Sequence, residues 1–252
     1  MHVNPSVKSF SNYFIAALFL ILLWQLISLC MADLALPGPI HAIHAFITGL
    51  DNGISRNLLF SAFRVVISIL LSTLLAIPLG LLLGRETHLD RFLGPVIYLI
   101  YPIPKIVFLP VVLSLFGLGN WAKIFLISLL IFFQILVTAR DAAKSVERLY
   151  LYSVKSLGAS RKDIYRHVIL PACLPEIFTS LRIGLGAAIA VLFITETFAS
   201  SEGVGFYLMD SWSRMAYNEM YAGVIAMSLL GLVLYIILDW LEKKICPWKF
   251  LY

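Results

Sequence analysis

Apolar runs of membrane-spanning length, several of them uncharged, alternate with polar breaks along the chain. The first covers residues 14–32. Others follow at 65–84, 92–118, 121–139, 177–199 and 221–238. A bilayer core about 30 Å thick needs roughly 20 apolar residues at 1.5 Å rise each, so six helical crossings are predicted. The third run is irregular: Pro95, Pro102, Pro104 and Pro110 interrupt it, and Lys105 stands near its middle. Between the first two runs, Pro37-Gly38-Pro39 punctuates the chain. The weakly amphipathic stretch after it predicts a helix lying in the interface rather than crossing. His41 and His44 fall one turn apart there, but a metal site needs a third ligand, so they read as polar-face residues.

The longest polar interruption extends from Arg140 to about Arg166. Val146, Leu149, Tyr150, Ser153, Val154 and Leu157 recur at helical spacing, and Gly158 follows as a helix-ending glycine would. Ser160 stands three residues before Asp163, a capping-box start for a second short helix. Ile164, Val168, Tyr165 and Ile169 give that helix an apolar edge, and Pro171 and Pro175 are expected to stop it so that the chain re-enters the membrane. Two readings remain open on pattern alone: a solvated surface hairpin, or a rigid knob offered to a cytoplasmic partner.

Composition supports the membrane assignment. Of 252 residues, 61% are hydrophobic and 13% charged, with a mean hydropathy of +0.94. The net charge of +5 raises the possibility of nucleic acid, but its distribution points to topology instead. With the N-terminus inside, one side carries Lys8, Arg85, Arg91, Arg140, Lys144, Arg148, Lys155, Arg161, Lys162, Arg166 and the tail lysines 243, 244 and 249. The other side carries only Arg56, Lys123 and Arg214. Both termini and the long polar segment are therefore expected in the cytoplasm. The organisation reads as 1–55, a first membrane helix and interfacial segment; 56–240, a transmembrane domain; and 241–252, a basic cytoplasmic tail. No cleavable signal or appended soluble domain is expected.

Chemistry-bearing patterns are sparse. Cys30, Cys173 and Cys246 are isolated, which indicates neither a disulfide framework nor a zinc site. No G-x4-GK[ST], HExxH or GxSxG occurs. Two charges fall inside expected spans away from the span entrances, Lys105 and Glu196. Each costs at least about 2.5–3.5 kcal/mol in mid-membrane and defaults to a functional assignment. They are expected to line a polar translocation pathway, Lys105 attracting an anion; the alternative is a structural pair between them. Arg182, at the start of the fifth run, reads as a cytoplasmic snorkeller.

Gly158 with Ile169-Leu170-Pro171 resembles the cytoplasmic loop of ABC-type importer permeases, whose consensus is EAA-x3-G-x9-I-x-LP. Tyr152-Ser153-Val154 stands where Glu-Ala-Ala would be. RHVILPACLPEIFTSLRIGLG (166–186), YPIPKIVFLPVVLSLFGLG (101–119) and ETFASSEGVG (196–205) are similar to the nitrate, sulfonate and taurine branch, and the resemblance covers about residues 56–239. It implies the six-helix, all-α type I importer permease fold in a bacterial inner membrane. It also implies that Ser156, Leu157, Gly158, Ala159, Ser160, Asp163, Ile164, Ile169, Leu170 and Pro171 form the loop that docks on an ATPase subunit. The expected assembly is two copies of this chain with two ATPase subunits, surrounding lipid and an extracytoplasmic binding protein. Nucleic acid is not expected as a partner. No cofactor is expected on the chain itself, with ATP–Mg held by the ATPase and no enzymatic activity here. The cargo is expected to be a small anionic or polar solute such as nitrate, a sulfonate or taurine. A vitamin precursor or bicarbonate is the alternative cargo. An autonomous secondary carrier is the competing class, although the repeated halves usual in that class are missing from the sequence.

Overall fold

The computed structural model describes residues 5–31 and 35–250. Ala32, the last residue of the first expected span, lies outside the described residues, as do residues 1–4, Asp33 and Leu34 of the first segment and Leu251 and Tyr252 of the tail. All regular structure among the described residues is helical. Helix α1 covers Pro5–Met31, α2 Pro39–Gly49 and α3 Ser55–Arg85. Helix α4 covers Thr87–Ile100, α5 Leu109–Phe116 and α6 Asn120–Ser145. Two short helices follow, α7 at Arg148–Ser156 and α8 at Arg161–Ile164, then α9 at Leu170–Ala199. Helices α10 (Val204–Ser213) and α11 (Tyr217–Ile245) complete the set, with a 3₁₀ turn at Pro247–Phe250.

Four stretches are long and apolar enough to cross a membrane: Pro39–Arg85, Asn120–Ser145, Arg161–Phe198 and Tyr217–Ile245. Thr87–Ile100 and Lys105–Phe116 form a fifth candidate, bent by 81° at the break between them. With the apolar part of α1, Ile15–Cys30, the set is compatible with six crossings.

The boundaries differ from the apolar runs in three places. The second crossing begins at Ser55, ten residues before the uncharged run, because Arg64 is buried and satisfied inside the protein and does not end the helix. The third is broken at residues 101–104, where Pro102 and Pro104 remove two backbone donors in three residues. The fifth is not preceded by a stop. Residues 161–198 form one continuous helix, with a π turn at Tyr165–Ile169 just before Pro171. That wide turn accommodates a proline without ending the helix, so Pro171 and Pro175 sit inside it.

Helix α6 runs through the centre, with α3 on one side and α9 on another, while α2 and α10 pack on α11. The α3–α6 contact is close because both helices offer small residues. A Cβ on Gly80 would stand 2.7 Å from the Ala139 Cβ, and one on Gly84 2.4 Å from the Arg140 carbonyl oxygen. Lipid gives packed helices no hydrophobic advantage, so such approach and interhelical hydrogen bonds hold them. Ser68 and Ser72 supply those bonds, donating to the carbonyls of Ile124 at 3.1 Å and Ser128 at 2.8 Å.

Candidate functional site

The cytoplasmic elbow is built from local sequence. Helix α7 ends with the Gly158 N–H donating to the Lys155 carbonyl at 3.0 Å and the Ala159 N–H to Val154 at 3.3 Å. This is a Schellman closure, and Gly158 takes the φ of +85° that it requires. Ser160 then starts α8 with a complete capping box: its hydroxyl accepts from the Asp163 N–H, and the Asp163 carboxylate accepts from the Ser160 N–H at 3.1 Å. The elbow is tied to the α3–α4 turn by Glu86, which pairs with Arg161 and accepts from the Tyr165 hydroxyl at 3.2 Å. Ile164 and Leu170 pack against the core and Ile169 is buried within it, so these three anchor the loop. The outward surface is Leu149, Tyr150, Tyr152 and Leu157, the last 86% exposed.

Lys105 and Glu196 are not brought together. Lys105 lies at the bend of the broken span, where its ammonium donates to the carbonyls of Ile100, Tyr101 and Ile103 at 2.7–2.9 Å. It also stands 4.9 Å from the Phe133 ring centroid, and its residue is 6% exposed. The lysine thus caps the carbonyl end of α4 left open by the prolines.

Glu196 has 0% exposure, and its partner is Arg64, 2% exposed, at 2.6 Å. The carboxylate also accepts from Ser61 at 2.8 and 2.9 Å and from the Gly205 N–H at 2.9 Å. Arg64 donates further to Asn120 and to the Glu202 carbonyl, each at 2.8 Å. With its lone pairs engaged and no open face, Glu196 does not face a route in this structure. A carboxylate buried this way is retained only when paired and hydrogen-bonded. Among the described residues no group of three or more His, Cys, Asp or Glu could hold a metal, and His41 and His44 line an outer-face cavity of about 900 Å³ with Tyr207, Asp210 and Arg214.

A membrane bundle of this helical order, with a capped cytoplasmic elbow between its fourth and fifth crossings, has known counterparts. Residues 76–247 match the family of binding-protein-dependent transport system inner membrane components. The chain belongs to that family. The taurine transport system permease protein TauC of Escherichia coli is 31% identical over 239 residues, covering 92% of this chain and 87% of its own length. The nitrate import permease protein NrtB of Synechococcus elongatus is 25% identical over 258 residues, covering 97% and 92%. Among solved structures, the inward-facing MetNI methionine ABC transporter aligns with a TM-score of 0.64 at 18% identity, covering 76% of this chain and 95% of that one, a likeness of fold. The protein is thus a multi-pass inner-membrane permease subunit of an ABC importer that works with a binding protein and an ATPase.

In this permease the residue most informative about the Glu196 site is one that sequence reasoning passed over. Arg64 stands immediately before the uncharged run at Val65, outside any expected span. Its position between Phe63 and Val65, apolar on both sides, is the signal that places it inside a helix. Arg182 differs as well. It lies twelve residues into α9 and does not snorkel: it donates to Glu242 at 2.6 Å and Asp239 at 3.3 Å on α11, and Lys249 from the tail closes on Glu242 at 2.8 Å.

Proposed function

We propose that the permease works as a pair of identical subunits with two ATPase subunits, and that residues 156–171 are where ATP-driven motion enters it. The supporting observation is the elbow itself: a glycine closure and a capping box leave it stiff, while Leu149, Tyr150, Tyr152 and Leu157 stand exposed. Exposed aromatics on a stiff helix suit docking into a groove on a partner. Within the loop, Ser156, Leu157, Gly158 and Ala159 form the docking side, and Ser160, Asp163, Ile164, Ile169, Leu170 and Pro171 connect it to α9. A closed two-fold pair is favoured because cyclic dimers are the commonest closed arrangement and one route needs two facing permeases. ATP–Mg is bound and hydrolysed by the ATPase, and this chain performs no covalent chemistry.

The cargo is a small anionic or polar solute, the class to which the taurine and nitrate transported by its relatives belong. Lys105 stands beside the route in this reading. Broken backbone at membrane depth is tolerated only where protein or a water-filled cavity covers it, and the lysine sits at that break. Glu196 serves the outer end of the helix as a brace. The test is a reconstituted complex with Leu157→Cys in the permease and a cysteine in the ATPase groove. Crosslinking that blocks uptake is expected, together with reduced uptake by Lys105→Met at unchanged assembly. Absence of any crosslink leaves the loop a solvated hairpin and removes the docking role.

A further inference from the structure

We infer that Arg64 and Glu196 are positioning residues for transport, locking the outer turn 202–205 to α3 so that motion arriving along α9 reaches three helices at once. The inference rests on the coupling role proposed for the elbow. Residues 161–198 form one helix of 38 residues, roughly 57 Å long at 1.5 Å per residue. The elbow is at its inner end and Glu196 close to its outer end.

At that outer end one face of α3 holds the turn at three successive levels. Asn57 accepts from the Gly203 N–H at 2.7 Å, Ser61 accepts from the Val204 N–H at 2.9 Å, and Arg64 donates to the Glu202 carbonyl at 2.8 Å. The spacing 57, 61, 64 is one helical face. Glu196 binds the same elements from the α9 side, through Ser61, Arg64 and the Gly205 N–H. Arg64 adds α6 through Asn120, the first residue of that helix. The turn is shaped around the carboxylate: Gly203 has a φ of +119°, and a Cβ there would stand 2.3 Å from the Glu196 Cδ; one on Gly205 would stand 2.8 Å from its Cβ.

An apolar cluster would hold these helices together as well as an ion pair does, because desolvation offsets most of the gain from burying the pair. What a buried pair adds is direction: each hydrogen bond fixes the turn at one angle and one register relative to α3. A joint that must pass motion from α9 to α3, α6 and α10 needs that fixity, and a joint that only fills space does not.

The experiment compares four variants in the reconstituted complex with its ATPase and binding protein: Glu196→Gln, Arg64→Lys, Asn57→Ala and the double Arg64→Met/Glu196→Met. Uptake, ATP hydrolysis, thermal stability and the Leu157→Cys crosslink to the ATPase are read together. The expected result is an intact crosslink, hydrolysis near the wild-type rate, and uptake per ATP lowered about tenfold in Glu196→Gln and in the double variant. Arg64→Lys and Asn57→Ala should be intermediate, since each keeps part of the network. Wild-type uptake per ATP in the double variant would overturn the proposal by showing that apolar packing suffices. So would losses of uptake that track losses of thermal stability across all four. A missing crosslink in the otherwise wild-type complex overturns the elbow reading instead, and is distinguished by being independent of residues 64 and 196.

Discussion

Gly158 holds φ at +85° with no atom within 4 Å of where a Cβ would stand, so a substitution meets backbone strain and no clash. Gly158→Val should cost about 1–3 kcal/mol in the elbow. Uptake should fall while membrane yield stays at the wild-type level, and Gly158→Asn, which tolerates positive φ, should retain more uptake than valine. Equal uptake in all three proteins would show that the elbow angle does not matter. The Arg64–Glu196 pair behaves differently because it is buried. Arg64→Met leaves an uncompensated carboxylate and should destabilise the subunit by about 3–5 kcal/mol, whereas the double apolar variant should recover most of that loss. Thermal unfolding of the four proteins in the cycle measures the coupling. Additive losses would mean that the two side chains stabilise the subunit independently.

At the scale of elements, the α3–α6 contact depends on the absence of side chains at Gly80 and Gly84. Gly84→Leu would place a branched side chain where even a Cβ stands 2.4 Å from backbone oxygen, and a helix pair cannot yield there without separating. A loss of at least about 1–3 kcal/mol is expected, read as a lower unfolding temperature in detergent and reduced membrane yield. Gly186→Ala is the matched control. It has nothing within 4 Å of the new Cβ and should be neutral or slightly stabilising, as expected for removing a helical glycine. Similar behaviour of the two variants would mean that the α3–α6 approach contributes little. The π turn at Tyr165–Ile169 belongs to this scale too: it lets the elbow continue into α9 as one helix, so the prolines after it mark a conformational adjustment and not an end.

For the whole molecule, charge asymmetry sets the orientation. The elbow and the tail lysines should face the cytoplasm, and the turn around Ser201 should face outside. A membrane-impermeant thiol reagent should therefore label Ser201→Cys in intact cells and spare Lys155→Cys, in a background with Cys30 replaced because it is exposed. Labelling at residue 155 from outside would invert the topology. Two of the ion-pair centres among the described residues then have distinct places. Arg64–Glu196 braces the outer ends of α3 and α9, and Arg182 with Glu242 and Lys249 joins α9, α11 and the tail.

Apolar runs of membrane length, the Lys and Arg bias, Gly158 and the Ser160–Asp163 cap were legible in the chain itself, because each rests on interactions within a few residues or with the bilayer. A glycine with positive φ closes a helix whatever surrounds it, and a run of twenty apolar residues seeks lipid in any fold. Lys105 and Glu196 stood out as charges in spans for the same reason. Their partners did not, since a pairing such as Arg64 with Glu196 spans 132 positions and is decided by which helices pack. Tertiary structure also decided that Lys105 caps the carbonyl end of α4, the helix before it, that Arg182 reaches α11, and that Pro171 and Pro175 lie within a continuous helix. Local sequence specifies where charges and breaks occur; only the packed bundle supplies the groups that satisfy them.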